Sequence, residues 1–396
     1  MSLRFVQISD VHLDSKLTSS ALCLPEEKRR EREKEIRGTV EMACRVARDE
    51  NADVVLIPGD LMDIETVNPN TVNFLIDTFA HLAPIPVIIS PGNHDFYSPT
   101  SRYNHEYLAE RGGPVWSDNV LIFTGARFES FPLPARDDVA VTGCSHGGNQ
   151  ALEDHPLAEP LPRSDRPINL LCFHGSLLGF APRGKFVTLP FSLEELANQG
   201  FAYAAIGHYH SFRELRGEDG RLLGAYSGCP ASRGLDEVGE KGFLVGRIDD
   251  NGNVDLQERR ADPRILHRIE VDVTGLTHID AIQNHVRKEV SQETERPEDM
   301  VVVHLTGRVP RGIHADIAAD TLARYYHAVV DTSETRPDYD LEALSRDPGT
   351  EGAYVSEVRR RLNEEQDPER KHIIENALYY GLDALLEKKV VPRYED

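Results

Sequence analysis

The sequence predicts an α/β fold with a βαβαβ core, because short apolar runs alternate with amphipathic segments near its start. Apolar runs at 5–8, 53–57 and 86–89 predict buried strands. The segments at 25–51 and 71–82 place apolar residues at helical spacing and predict the two crossover helices. Polar residues follow each strand, and crossover helices make neighbouring strands parallel. The pattern therefore predicts a functional site at the carboxyl edge of a parallel sheet.

The composition indicates a multidomain globular protein. A chain of 396 residues is long for one hydrophobic core, and 40% hydrophobic with 28% charged residues is typical of a soluble protein. No apolar run is long enough to span a bilayer, and the N-terminus enters a strand without a signal-peptide pattern. The five cysteines form no CxxC pair, which suits a reducing compartment. We expect a cytoplasmic protein with no membrane association.

The formal net charge of −22 is spread over both halves of the chain, which excludes a basic nucleic-acid-binding module. A DNA substrate would need bound metal ions, local basic patches or a partner protein to offset this charge.

Metal-binding side chains follow the first three predicted strands. Asp10 and His12 are two residues apart, so on an extended backbone they point to the same side. Asp60 follows the second strand, and Asn93 and His94 follow the third. A single strand followed by an Asp or a His is ordinarily just a turn. Because such residues follow all three strands, the sequence predicts that their side chains cluster.

Further histidines follow later strands in the same way. His174 ends the run at 169–173, and the run at 201–206 leads into His208 and His210. Oxygen and imidazole donors without a thiolate select Mn²⁺, Fe²⁺, Mg²⁺ or Zn²⁺. The donors suffice for two ions, with Asp60 as the candidate bridging carboxylate. Two such ions, roughly 3.5–4 Å apart, polarise a phosphoryl group and lower the pKa of a bridging water, which makes hydroxide available.

In order, the motifs resemble those of the calcineurin-like metallophosphoesterases. They are Asp10-x-His12, Gly59-Asp60, Gly92-Asn93-His94-Asp95, His174 and Gly207-His208-x-His210. Within that superfamily the chain resembles the SbcD/Mre type of DNA repair exonuclease, and its tail at 377–383 resembles the YhaO-like bacterial branch. The resemblance implies a four-layer metallophosphoesterase sandwich, with a smaller α+β capping domain and C-terminal helices. The implied domains are 1–261 (nuclease), 262–345 (DNA capping) and 346–396 (partner binding).

The resemblance also implies the role of each motif residue. One ion would bind Asp10, His12, Asp60 and His210, and the other would bind Asp60, Asn93, His174 and His208. His94 would contact the scissile phosphate and help the leaving oxygen depart, with Asp95 orienting it. Asp63 departs from the pattern, since archaeal and eukaryotic members carry a catalytic histidine at this position.

The implied activity is phosphodiester cleavage in DNA by a metal-activated hydroxide, with two Mn²⁺ ions as cofactors. The implied partners are a second copy of the chain and an SbcC-like coiled-coil ATPase on the C-terminal helices. Four basic residues on loops near the motifs are candidate DNA contacts, namely Arg102, Arg183, Lys185 and Arg233.

After residue 262 the sequence predicts a smaller domain. Strands are predicted at 265–273 and 300–306, helices at 279–290 and 317–326, and C-terminal helices at 353–363 and from Pro368 onward. Apolar residues line one face of the last helix, at Ile374, Leu378, Leu382 and Leu385. That face either packs on the chain's own domain or binds a partner helix.

Two other functions are compatible with the sequence. The protein could hydrolyse nucleotides or cyclic nucleotides, which cleavage of polymeric DNA would distinguish from a nuclease. It could also be a non-catalytic scaffold that has lost its metals, which metal analysis would decide.

Overall fold

The computed structural model describes residues 2–17, 22, 24–134, 136–148, 155–180, 186–310, 320–388 and 390. The chain divides into two compact units, Met1–Ile265 and Leu266–Asp396.

The first sheet of the first unit has six strands. In sheet order they are β12 (Val254–Arg260), β11 (Gly242–Ile248), β1 (Leu3–Gln7), β2 (Val54–Ile57), β3 (Val87–Ile89) and β4 (Val120–Ile122). Strands β1 to β4 are parallel, while β11 pairs antiparallel with β1 and β12 with β11. Helices α1 (Glu26–Asp49) and α2 (Pro69–Ala80) connect β1 to β2 and β2 to β3. The βαβαβ prediction is therefore confirmed.

The second sheet also has six strands. In sheet order they are β5 (Glu129–Pro132), β6 (Val139–Gly143), β7 (Ile168–His174), β8 (Tyr203–Gly207), β10 (Leu222–Tyr226) and β9 (Arg213–Arg216). The four central strands are parallel, and the two edge strands run antiparallel to their neighbours. Two short helices lie before and within this region, α3 (His105–Glu110) and α4 (Leu193–Gln199).

Alternating residues of the strands pack on opposite faces and give the unit four layers. Val6 and Ile57 pack with α1 and α2, whereas Phe5 and Leu56 pack against the second sheet. The far face of the second sheet packs with Leu196 of α4. The order is helices, sheet, sheet, helix, which confirms the predicted four-layer α/β fold.

A buried ion pair fastens α1 to the end of the first unit. The Arg32 guanidinium donates to both carboxylate oxygens of Asp262, at 2.7 and 2.5 Å, and to the backbone oxygen of Ser232. The side chains of Arg32 and Asp262 are both fully buried. Because each charge has its partner and further hydrogen bonds, the pair tolerates removal from water.

The second unit contains a parallel sheet of three strands, β13 (Leu266–Asp272), β14 (Met300–Val309) and β15 (His327–Pro337). Helix α5 (Ile279–Glu293) connects β13 to β14. The helix predicted at 317–326 is wrong in the part that the structure describes, because 320–326 forms turns that lead into β15. Leu322 and Tyr325 are apolar at near-helical spacing because both enter the core of this unit.

The chain ends in helices α6 (Leu341–Ser345), α7 (Thr350–Glu364) and α8 (Pro368–Leu382), followed by a π-helical turn at Asp383–Glu387. Asp367 caps α8, since its side chain accepts from the backbone N–H groups of Glu369 and Arg370. Leu378 and Leu382 pack with residues of the same unit, while Ile373 is 65% exposed. Across the described ranges, no helix has both the length and the apolar composition that a bilayer crossing requires.

Candidate metal centre

The predicted metal-binding residues of the first unit meet where the parallel strands of both sheets end. Asp10 and His12 follow β1, Asp60 follows β2, and Asn93 follows β3. His174 is the last residue of β7, and His208 follows β8. Both sheets therefore contribute side chains to one edge, as the repeated strand exits predict.

The backbone that follows these strands is not extended. The expectation that Asp10 and His12 point to the same side of an extended strand is therefore wrong. Strand β1 ends at Gln7, and Asp10, His12 and Asp60 have φ values of 53°, 48° and 51°. Such values are uncommon for residues with a Cβ atom. The loops after β1 and β2 are hydrogen-bonded to each other. Asp10 N–H donates to Gly59 O at 3.1 Å, and His12 N–H donates to Asp60 O at 2.9 Å. The side chains meet because of this pairing between loops.

Two glycines of the motifs are required for close approach. A Cβ atom on Gly92 would lie 2.3 Å from Oδ1 of Asp60, and one on Gly207 would lie 1.9 Å from the carbonyl oxygen of Pro58. Any larger residue would push the strand exits apart.

Four sets of three donor residues occur among the described residues, and the donor atoms of each set lie within 4.8 Å of one another. The first is Asp10, His12 and His210, and the second is Asp10, Asp60 and His174. The third is His12, Asp60 and His94, and the fourth is His210, Cys229 and Glu237. Asp60 Oδ2 lies 3.4 Å from His12 Nε2 and 3.3 Å from His174 Nε2, so this oxygen is situated between two imidazoles. That is the position a bridging carboxylate needs.

Asn93 joins the second set, since its Oδ1 lies 2.9 Å from His174 Nε2. His208 does not belong to any donor set found among the described residues. Its Nε2 lies 2.8 Å from Phe186 O, which leaves Nδ1 as the ring nitrogen that could bind a metal.

Each imidazole of the site has one nitrogen held by a carboxylate or carbonyl oxygen. The Nδ1 atoms of His12, His174 and His210 lie near Asp63 (2.8 Å), Pro58 O (3.0 Å) and Glu237 (2.6 Å). Metal-binding histidines typically use this arrangement, because it fixes the ring and directs the other nitrogen at the ion.

Electrostatics and burial fit a pair of divalent cations. His12 Nε2 is buried and has no hydrogen-bond partner in the described part of the chain. Burial lowers the pKa of His12 to about 4 and that of His208 to about 3, so both rings are neutral at pH 7. Burial opposes the charged form of His174, yet the Asp60 and Asp10 carboxylates and the Pro58 carbonyl together outweigh burial and raise its pKa to about 9. A cation would take the place of that proton.

His94 lies at the open side of the centre. Its side chain is 51% exposed, and its Nδ1 lies 3.3 Å from Oδ1 of Asp63. This hydrogen bond to Asp63 is the main cause that raises the pKa of His94. His94 is therefore accessible to a substrate and is held by a carboxylate that favours its protonated form.

Asp95 does not orient His94, which corrects the sequence prediction. Its carboxylate accepts from the backbone N–H groups of Asp60, Leu61 and Gly92 and from the hydroxyl of Tyr103. The carboxylate is thus occupied in joining the loops after β2 and β3. Asp63 takes the orienting position instead.

Arg233 also requires correction as a candidate DNA contact. Its side chain is only 12% exposed, and its Nη2 lies 2.8 Å from Glu237 and 3.0 Å from His210 Nδ1. Arg233 therefore contacts His210 and Glu237 inside the protein instead of presenting its guanidinium to DNA. Arg102 is half-buried beside the Tyr107 ring, and Arg183 and Lys185 lie outside the described residues.

Glu237 was missed by sequence reasoning. It follows His210 by 27 residues, and no local motif marks it as a partner of that histidine. Its carboxylate becomes recognisable only once the fold brings the two residues together.

The fold and the site agree with the comparison to known families. Residues 3–212 match the calcineurin-like phosphoesterase family, and this match covers more than half of the chain. The chain therefore belongs to the calcineurin-like phosphoesterases, which are hydrolases acting on phosphoester bonds and use divalent metals in a dinuclear site.

Individual relatives are more distant. The chain is 27% identical over 314 residues to the uncharacterized metallophosphoesterase YhaO of Bacillus subtilis, covering 78% of this chain and 72% of that protein. It is 24% identical over 388 residues to the DNA double-strand break repair protein Mre11 of Methanopyrus kandleri, covering 90% of this chain and 78% of that protein. A solved dimetal phosphatase from Danio rerio aligns with 65% of this chain and 96% of its own, at 14% identity and a TM-score of 0.38.

Proposed function

We propose that this protein is a metal-dependent DNA nuclease that hydrolyses phosphodiester bonds and acts in DNA repair. The observation that carries the proposal is the extent of the similarity to the Mre11 protein of Methanopyrus kandleri. That similarity covers 90% of the chain, whereas the family match ends at residue 212. A relationship confined to the phosphoesterase domain would not distinguish a nuclease from other members of the family.

The proposal assigns the metal ligands as the motifs imply. One ion would be held by Asp10, His12, Asp60 and His210, and the other by Asp60, Asn93, His174 and His208. When bound, two divalent cations supply Lewis acidity toward the phosphoryl oxygens and lower the pKa of an attacking water. We propose Mn²⁺ as the metal because the resemblance to the SbcD/Mre type implies it, while the oxygen and imidazole donors suit Fe²⁺, Mg²⁺ and Zn²⁺ as well.

The protein's own contribution to the chemistry is centred on His94. It would hold a proton at its exposed ring nitrogen, within reach of a leaving oxygen, while Asp63 fixes the ring through Nδ1. The buried Asp60 stays anionic behind it, because His174 and His12 hold its pKa well below its ordinary value despite burial. This arrangement separates the metal-holding residues from the one that transfers a proton.

The remaining assignments belong to the same proposal. Residues 1–261 would form the nuclease domain, 262–345 a DNA-capping domain and 346–396 a binding segment for an SbcC-like coiled-coil ATPase. The protein would act as a homodimer in the cytoplasm, where the four described cysteines, all buried and free, would remain reduced.

The test is digestion of single- and double-stranded DNA labelled at either end, with Mn²⁺, Mg²⁺ or EDTA. We expect shortening that depends on Mn²⁺ and is absent in the His94→Ala variant. Hydrolysis of bis-p-nitrophenyl phosphate serves as a control for the metal centre. If that bis-ester is hydrolysed while DNA stays intact, either the substrate is nucleotide-sized, which contradicts the nuclease proposal, or DNA cleavage requires the ATPase partner.

A further inference from the structure

A cavity lined by three arginines lies in the first unit, at the opposite edge of the second sheet from the metal centre. It has a volume of about 500 Å³, and its lining includes Arg163, Arg166 and Arg221. The lining residue Asn169 is at the start of β7, and Ala202 lies just before β8, whereas the metal-binding residues follow the ends of these strands. Seven residues of β7 separate the two edges by roughly 20 Å.

The three arginines form no ion pair with any carboxylate of the described residues. Arg163 Nη1 donates to Gly200 O at 3.2 Å, and Arg221 Nη2 donates to Phe201 O at 3.3 Å. Arg166 Nη1 donates to two further backbone oxygens. Each guanidinium thus keeps donor groups that these bonds do not use, since arginine carries five N–H groups.

Two of these guanidiniums are hydrogen-bonded to consecutive carbonyl groups of the backbone. Gly200 and Phe201 are consecutive residues, so Arg163 and Arg221 are anchored to neighbouring carbonyl groups. Gly200 has a φ of 68°, and a Cβ atom at this position would lie 3.0 Å from Nη1 of Arg163. The glycine that ends α4 therefore also leaves the space in which the Arg163 guanidinium lies.

The loop that carries Arg163 and Arg166 is fixed before any ligand arrives. Asn169 Oδ1 accepts from Ser164 N–H at 3.0 Å, and Asn169 Nδ2 donates to the carbonyl oxygens of Ser164 and Arg166. Asp165 is the one acidic side chain of the cavity lining, so three positive charges face one negative charge. This excess stands out in a chain with a net charge of −22.

We propose that this cavity binds a phosphate-bearing anion of nucleotide size, at a site separate from the metal centre. Guanidinium groups present paired donors that match phosphate oxygens, and a rigid arrangement lowers the entropy lost on binding. A volume of about 500 Å³ is in the range of small-molecule sites and exceeds what a lone phosphate needs. The phosphate could belong to a free nucleotide or to the end of a polynucleotide.

The experiment is calorimetric titration of the full-length, metal-loaded protein with inorganic phosphate, AMP and a nuclease-resistant single-stranded oligonucleotide. The test variant is Arg163→Gln combined with Arg221→Gln. The matched control combines Arg127→Gln and Arg247→Gln, two exposed arginines of the same unit outside the cavity. Because the metal centre is unchanged in all three proteins, phosphate binding there contributes equally to each.

We expect the test variant to bind AMP or the oligonucleotide about tenfold more weakly than the wild type, with the control unchanged. Weaker binding of AMP by the test variant identifies a free nucleotide as the ligand. Weaker binding of the oligonucleotide alone identifies the end of a polynucleotide. Equal binding by wild type and test variant would overturn the proposal. So would a lower melting temperature of the test variant with unchanged binding, because the arginines would then only stabilise the end of α4.

Discussion

The Oδ1 atom of Asp63 lies 3.3 Å from Nδ1 of His94, and the same oxygen lies 2.8 Å from Nδ1 of His12. One carboxylate thus positions both a proposed metal ligand and the proposed proton donor. Because His94 is exposed and His12 is buried, the Asp63 carboxylate contacts one residue inside the site and one residue at the surface that substrate would reach.

The first prediction concerns the pH dependence of catalysis. A general acid must carry its proton, so activity falls as the pH rises through the pKa of His94. The hydrogen bond to Asp63 raises that pKa. Replacing Asp63→Asn removes the carboxylate, so the alkaline limb of the kcat profile should move to lower pH and kcat should fall on the order of tenfold.

The matched control for this change is Asp77→Asn, an exposed substitution in α2. It should leave the profile in place. An alkaline limb that stays where it is in Asp63→Asn would show that Asp63 does not act on His94.

The second prediction concerns Glu237 as the partner of His210. Glu237→Gln keeps the size of the side chain but weakens the bond to Nδ1 of His210, which is 2.6 Å long. We expect one of the two metal ions to bind about 10–100-fold more weakly, since partners behind a ligand typically contribute that much. Isothermal titration with Mn²⁺ would separate this ion from the other.

Glu240→Gln, on the same loop and with a side chain that is 66% exposed, is the control. Equal Mn²⁺ affinities in wild type and Glu237→Gln would contradict the assigned role.

The third prediction separates a structural role of Asp95 from a catalytic one. Asp95→Asn places an amide NH₂ where the carboxylate now accepts from three backbone N–H groups and Tyr103. The free energy of unfolding should fall by about 1–3 kcal/mol, because buried donors lose their acceptor. Denaturant unfolding measures this, and the alkaline limb assigned to His94 should not move. If the alkaline limb of the pH profile moved in Asp95→Asn while the free energy of unfolding stayed the same, Asp95 would orient His94 after all.

The fourth prediction concerns the buried pair of Arg32 and Asp262. Arg32→Ala leaves the fully buried Asp262 carboxylate without its cation. Breaking such a pair typically costs about 3–5 kcal/mol of unfolding free energy. Arg30→Ala, on the exposed face of the same helix, should have almost no effect in the same denaturation experiment. Similar losses in both variants would contradict this account of Arg32.

The sequence predicts the βαβαβ core because its strands are continuous apolar runs and its helices are strongly amphipathic. It does not predict β15, because that strand includes the polar residues 331–336 and is defined by its pairing with β14. Long polar strands of this kind have no clear periodicity, so they resemble loops in sequence.

The same distinction applies to the site. Asp10, His12 and Asp60 are recognisable because each lies within five residues of the end of a strand, and parallel strands bring their ends together. The roles of Asp95 and Glu237 depend on loops that meet only in the folded chain. A carboxylate bound to the backbone of a distant loop has no local pattern that could reveal it.

The most direct test of the account is the number of metal ions bound by wild type and His94→Ala, measured by elemental analysis alongside activity. The account predicts two divalent ions per chain in both proteins, with phosphodiester hydrolysis lost only in the variant. If His94→Ala binds fewer ions than the wild type, His94 is itself a metal ligand, and the separation between metal-holding and proton-donating residues is wrong.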